Sequence, residues 1–273
     1  MSKQLVQQVC VHTYGAASLM QSEYGELPAP AVGEVRLRHE AIGVNHVDIY
    51  HRTGLYPLPS LPAVIGVEGA MLRGMTAHML LAHVRPLGAG ESVLVHAAAG
   101  GLGLVLVQWA KALGAKVIGT VGSRPKAELA LAHGLDRAVP YREEDFVAAT
   151  KEFTGGEGVH YAIDGIGGET LLRTLETVRP YGMAASIGQV AGDIAAIEPA
   201  ALGPYRSIAL SRPGVFRFMA DLRRYREGAQ ATLERLAAGM QVRIDSAFPL
   251  TDGARAHALL ASGKTSGSIL LRP

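Results

Sequence analysis

The chain has 273 residues, one cysteine and a formal net charge of +2. A lone Cys10 excludes an internal disulfide framework and a cysteine-rich zinc site and fits a reducing compartment, and the near-balanced charge gives no pull toward nucleic acid or anionic membrane. No apolar run is long enough to span a bilayer and the first residues lack a signal-peptide core, so the expectation is a cytoplasmic protein of one large or two modest domains.

Residues 1 to about 70 are rich in Pro, Gly and short alternating stretches, and Glu34-Val35-Arg36-Leu37-Arg38 predicts a strand with one buried face. From about 75 to 214 strands alternate with helices, the sign of a parallel sheet covered on both faces. The apolar run Ser92–Val95 is a buried strand, and Leu104–Ala110 lies in the helix that follows. Lys116–Val121 is the second strand, and a helix over Lys126–His133 is closed by Gly134. The strand Arg137–Tyr141, a helix Glu143–Phe153, the strand Val159–Asp164, a helix Glu169–Val178 and the strand Met183–Gly188 come next. A long helix over Arg217–Leu236, the strand Arg243–Leu250, a helix Asp252–Ser262 and the strand Ser268–Leu271 close the chain. The arginines of the long helix are interleaved with Asp221, Glu227 and Glu234, which favours a solvated amphipathic helix over a nucleic-acid-binding one.

Between the first strand and its helix stands Ala98-Ala99-Gly100-Gly101-Leu102-Gly103, a dinucleotide fingerprint with alanine for its first glycine. Gly100 lets the backbone approach a pyrophosphate, Gly103 lets helix pack on strand, and the N–H groups at Gly101 and Leu102 face the anion. About 20 residues on, an NAD site calls for a carboxylate on the ribose. Here the second strand ends in Gly122-Ser123-Arg124-Pro125-Lys126, with no acid before Glu128. A hydroxyl, a guanidinium and an ammonium suit a 2′-phosphate, so the expected cofactor is NADPH. No metal site is expected: the histidines form no spaced set with other soft ligands, and His78 and His83, five apart on an apparent helix, do not share a face.

The chain resembles the quinone oxidoreductases, the zeta-crystallin-like, zinc-free branch of the medium-chain dehydrogenase/reductases. The matching segments are Gly43–Pro57, Leu72–Ala77, Val95–Gly114 and the ending Phe248-Pro249-Leu250 through Leu270-Leu271. The resemblance implies an α/β fold, with a doubly wound Rossmann domain over 75–214 and a GroES-like β-barrel built from 1–74 and 215–273. It implies NADPH-dependent hydride transfer to a quinone or related conjugated carbonyl. It also implies that about 50 barrel residues are missing after Ala70, where Gly66-Val67-Glu68-Gly69-Ala70 runs straight into Met71. Zinc-dependent relatives have ligands where Asn45 and Val67 stand here, and neither side chain can replace thiolate or imidazole.

Without zinc, Asn45 is the candidate for fixing the nicotinamide ribose or the acceptor through its amide. Tyr50 and Tyr56 are the candidates for lining the acceptor pocket. The resemblance adds Tyr141 near the 2′-phosphate, Thr76 beside the nicotinamide, Ile166, Gly188 and Gln189 along the cofactor, and Arg212 at its far edge. It further implies a homodimer paired through the edge strand near Ser207–Leu210, with Ile208 at the contact. The alternative is an NADPH-binding protein with little catalysis, RNA-binding or structural in role.

Overall fold

The computed structural model describes residues 4–68 and 71–273. The chain divides into two units, residues up to 72 together with 243–273, and residues 73–242. Among the described residues no helix is long and apolar enough to cross a membrane.

The unit 73–242 is built on a six-stranded sheet. Its strands are β5 (Ser92–Val95), β6 (Lys116–Val121), β7 (Arg137–Pro140), β8 (Val159–Asp164), β9 (Val178–Ser186) and β10 (Ala209–Ser211). All pairings are parallel and the order is β10-β9-β8-β5-β6-β7. The strands are apolar without alternation because both faces are covered. Leu94, Ile118, Val139, Ala162 and Ala184 meet in one core with Phe146 and Leu175 from the covering helices. Strand order reverses between β5 and β8, which opens a crevice beyond their carboxyl ends.

Helix starts follow local caps. The helix expected from Lys126 begins earlier, as α4 (Arg124–Ala132), because Ser123 is extended at the N-cap and Pro125 fits the first turn. The helix expected from Glu143 begins at Phe146, where the Val147 N–H donates to Asp145 at 2.9 Å. The long helix expected over Arg217–Leu236 is two helices, Val215–Met219 and Leu222–Ala237. Asp221 interrupts it by accepting the N–H groups of Arg223 and Arg224 at 3.0 and 3.1 Å, the bonds that begin a new helix. The second of these helices packs on the start of the sheet unit. A Cβ on Gly74 would stand 2.2 Å from the Thr232 methyl, and one on Gly228 would stand 2.9 Å from Met75. Residues 215–242 therefore cluster with the sheet, not with the barrel half to which the sequence assigns them.

One local winding overturns an expectation. After the helix Leu72–His78 the chain makes a π-helical turn over Met79–Val84, in which the Arg85 N–H reaches back to Leu80 O at 3.2 Å. The wider turn brings His78 and His83 onto one face, contrary to the α-helical spacing argument, with their Nε2 atoms 3.2 Å apart.

The other unit has two three-stranded sheets. One runs β2 (Met20–Leu27), β1 (Gln4–Val11), β4 (Ala63–Val64), and the other β11 (Ile244–Pro249), β12 (Ser268–Arg272), β3 (Ile42–Val44). Val9, Val11, Val44, Leu250, Leu260 and Ile269 share its core. The strand expected over Glu34–Arg38 is not formed: the segment is irregular, with Val35 80% and Leu37 66% exposed. An alternating pattern becomes a strand only against a neighbour that takes its hydrogen bonds, and none lies beside it among the described residues. Among the described residues the two sheets share no strand pairing and do not close into a barrel. The expected deletion point, Gly69–Ala70, lies outside the described residues.

Within this unit His257 is buried on the helix Gly253–Ala261, with its Nδ1 unpartnered among the described residues. Burial, and then the charge of buried Arg52, push its pKa down to about 4. Between pH 6.5 and 4 the unfolded chain takes up a proton here that the folded chain refuses, so stability falls as pH falls through that window. The loss approaches about 3 kcal/mol at its acid end. Urea titrations across that range check this, and His257→Gln is expected to flatten the slope.

Candidate cofactor site and acceptor residues

The fingerprint turn stands at the sheet's reversal point, at the start of α3 (Gly101–Ala112). Gly100 is the N-cap with no side chain over it, so the N–H groups of Gly101, Leu102 and Gly103 lie in a first turn without helical partners. A Cβ on Gly103 would stand 2.2 Å from Ala97 O and 2.8 Å from the Ala98 backbone, so only glycine lets helix and strand approach this closely. The alanine in place of the first fingerprint glycine is accommodated from across the sheet. A Cβ on Gly119 would come within 2.5 Å of the Ala98 methyl, and Gly119 leaves that room.

Beneath the turn runs a buried polar chain that no motif announces. His96 Nδ1 is 2.9 Å from Thr120 Oγ1 and its Nε2 is 2.9 Å from Thr174 Oγ1. Thr174 donates to Asp164 Oδ2 at 2.8 Å, and Asp164 Oδ1 accepts from the N–H groups of Ile166 and Gly167 at 2.7 and 2.9 Å. With the one Thr174 proton on the carboxylate, that hydroxyl accepts from His96 Nε2–H. His96 Nδ1 is then bare and accepts from Thr120, whose oxygen takes the Ala97 N–H at 3.3 Å. Burial holds the His96 pKa below its ordinary value, which keeps the ring neutral as this order requires. The chain ties the ends of β5, β6 and β8 to α6 (Gly168–Leu175), fixing the crevice floor. Its only sequence signal is that the apolar strands end in single polar residues.

At the end of β6 the structure brings Gly122 and Tyr141 together: a Cβ on Gly122 would lie 3.5 Å from the Tyr141 hydroxyl. Ser123 follows at the α4 N-cap, and Lys126 lies in the first turn of the same helix. Arg124 is exposed and pairs with Glu143 at 3.2 Å. Past β9, the Gly167 Cα hydrogen faces the Gly188–Gln189 backbone, where a Cβ would meet Gly188 O at 2.9 Å. The Ala191 N–H binds Ile166 O at 2.8 Å, and Arg212 donates to the Gln189 side chain at 2.5 Å. Thr76 lies within the helix Leu72–His78 of this same unit.

In the other unit Asn45 is buried and caps α1 (His46–Thr53), with its N–H donating to Asp48 Oδ2 at 2.8 Å in a capping box. Its amide donates to Glu68 Oε2 at 2.6 Å, a partner that sequence reasoning missed. Tyr50 and Tyr56 meet edge to face, with ring centres 5.2 Å apart. Tyr50 is buried at 8% exposure, whereas Tyr56 is 37% exposed. Among the described residues no three His, Cys, Asp or Glu side chains gather as a metal site.

A family model described as "Zinc-binding dehydrogenase" matches residues 101–230. Quinone oxidoreductase 1 of Escherichia coli is 32% identical, over 96% of this chain and 98% of its own length. The chain belongs to the quinone oxidoreductase family. A 2-haloacrylate reductase of Burkholderia is also 32% identical, over 98% of this chain and 99% of its own. Among solved structures, E. coli quinone oxidoreductase complexed with NADPH superposes with a TM-score of 0.92 at 30% identity, covering 98% of this chain and 100% of its own. The alignment with the E. coli family member spans 321 positions although this chain has 273 residues, so the relative holds residues within the aligned span that have no counterpart here. That accords with the barrel residues expected to be missing after Ala70.

Proposed function

We propose that the protein is an NADPH-dependent reductase of quinones or related conjugated carbonyls, working without a catalytic metal. The observation behind this is the pairing of a glycine-rich helix start with the turn after the neighbouring strand, where Gly122 lies against Tyr141, Ser123 and Lys126 stand in the α4 start, and no carboxylate follows before Glu128. Relatives solved with NADPH, and a relative named for reducing 2-haloacrylate, support the same cofactor and an activated double bond as acceptor.

The bare N–H groups of Gly101 and Leu102 hold the pyrophosphate, with Gly100 admitting it. Ser123, Lys126 and Tyr141 hold the 2′-phosphate. Ile166, Gly188, Gln189 and Arg212 line the remaining cofactor path, and Thr76 stands at the nicotinamide. When bound, NADPH supplies the hydride. Asn45, its amide plane fixed by Glu68, orients the nicotinamide ribose or the acceptor. Tyr56 offers its face to the acceptor ring, and buried Tyr50 holds Tyr56 in place. A quinone is already electrophilic, so alignment and exclusion of water suffice and the proton comes from solvent.

The test is steady-state NADPH consumption with benzoquinone as acceptor. Turnover that survives prolonged chelation is expected, and turnover that tracks bound zinc would contradict the metal-free part. A cofactor-binding protein without catalysis would bind NADPH and consume none. We also propose a homodimer through β10, which lies at the open sheet edge. Ile208 is buried in the protein's own core, so Ile208→Lys would unfold the sheet and is not the probe of pairing expected from sequence. A single-chain mass by light scattering would contradict the dimer.

A further inference from the structure

On an α-helix, residues five apart are splayed by roughly 140°. The π-helical turn over Met79–Val84 removes that splay and sets His83 beside His78. Aromatic neighbours fix both rings. Phe218 contacts both in edge-on geometry, with ring centres 6.2 Å from His78 and 4.9 Å from His83, and Trp109 lies 6.0 Å from His78. His83 is exposed, and His78 lines a cavity of about 430 Å³ that Trp109, Glu234 and Arg235 also border. Water and solute therefore reach the pair.

Two nitrogens 3.2 Å apart match the bite of a chelate, since an ion about 2.0–2.1 Å from each would subtend an angle near 100°. We propose that His78 and His83 form a two-imidazole clip for a divalent transition-metal ion such as Cu²⁺, with water completing its coordination. Imidazole ligands suit Cu, Ni and Zn, and copper stands highest in the affinity order for such sites. The Glu227 carboxylate lies close enough to act electrostatically on His78 and adds negative potential for a cation. A π-turn with two ring-locked histidines has its ligands preorganised, so little ordering opposes binding. The clip shares no residue with the proposed hydride-transfer machinery.

Trp109 is the only tryptophan of the chain, which makes it a local reporter. The experiment titrates Cu²⁺ into the untagged full chain while following Trp109 fluorescence, with electron paramagnetic resonance at one equivalent. One equivalent is expected to quench Trp109 and to show coupling to two nitrogens. His83→Gln changes an exposed side chain and leaves the core intact. It is expected to weaken quenching by at least about tenfold and leave coupling to one nitrogen. Unchanged quenching in His83→Gln, or no stoichiometric quenching in the unmodified chain, would overturn the clip and leave an ordinary imidazole–imidazole hydrogen bond. NADPH consumption by His83→Gln is expected to match the unmodified chain, so the two proposals fail separately.

Discussion

Asp164→Ala is expected to lower stability by about 3–5 kcal/mol, since each buried group left without its partner costs about 1–3 kcal/mol. Removing the carboxylate strands the N–H groups of Ile166 and Gly167 and takes one acceptor from Thr174, whose oxygen still accepts from His96. Thermal unfolding should show a Tm lower by roughly 10 °C. Asp164→Asn separates the network from the charge. Its oxygen still accepts both N–H groups, its NH₂ can donate to Thr174 Oγ1, and the Thr174 proton can turn to Thr170 O at 2.8 Å. The asparagine variant should lose less than half as much. Equal losses would mean that the charge itself, not the hydrogen-bond order, holds the crevice floor.

Gly103→Ala is expected to be the most damaging change for its size. The added methyl would stand 2.2 Å from Ala97 O and 2.8 Å from the Ala98 backbone, and backbone cannot rotate away as a side chain can. Overpacking of this kind costs about 1–3 kcal/mol or more, and relief requires α3 to move off the strand. That movement carries the Gly101 and Leu102 N–H groups with it. NADPH affinity should therefore fall by more than the stability loss alone implies, at least about tenfold. Parallel melting curves and cofactor titrations measure both. A variant that melts lower but binds NADPH unchanged would show that the helix start does not hold the pyrophosphate.

The sheet unit was largely legible in the sequence because its signals are local. Runs such as Val93-Leu94-Val95 and Val117-Ile118 are apolar on both faces, and the glycines of the turn are required by close approach rather than by chance. Expectations failed where a structure depends on partners or on competing caps. Glu34–Arg38 has the right alternation but no strand to pair with among the described residues. Asp221 turns one periodic helix into two because a side-chain cap competes with helix continuation. The approach of His78 to His83 was hidden because spacing arguments assume 3.6 residues per turn. The Asp164–Thr174–His96–Thr120 chain was hidden for another reason, since its members lie far apart in sequence and show no period. In the candidate site, the glycine turn at the start of α3 and the placement of Ser123 at the start of α4 follow from local sequence, whereas the Asn45–Glu68 bond depends on folding.

The central claim is that the turn after β6 recognises a 2′-phosphate, and the most direct test is to titrate NADPH and NADH separately into the unmodified chain and into Lys126→Ala. The unmodified chain should bind NADPH more tightly. Lys126→Ala should erase most of that preference, since a charge-assisted contact to the phosphate contributes about 1.5–3 kcal/mol. NADH binding should hardly change. Equal affinities for the two cofactors in the unmodified chain would contradict the assignment.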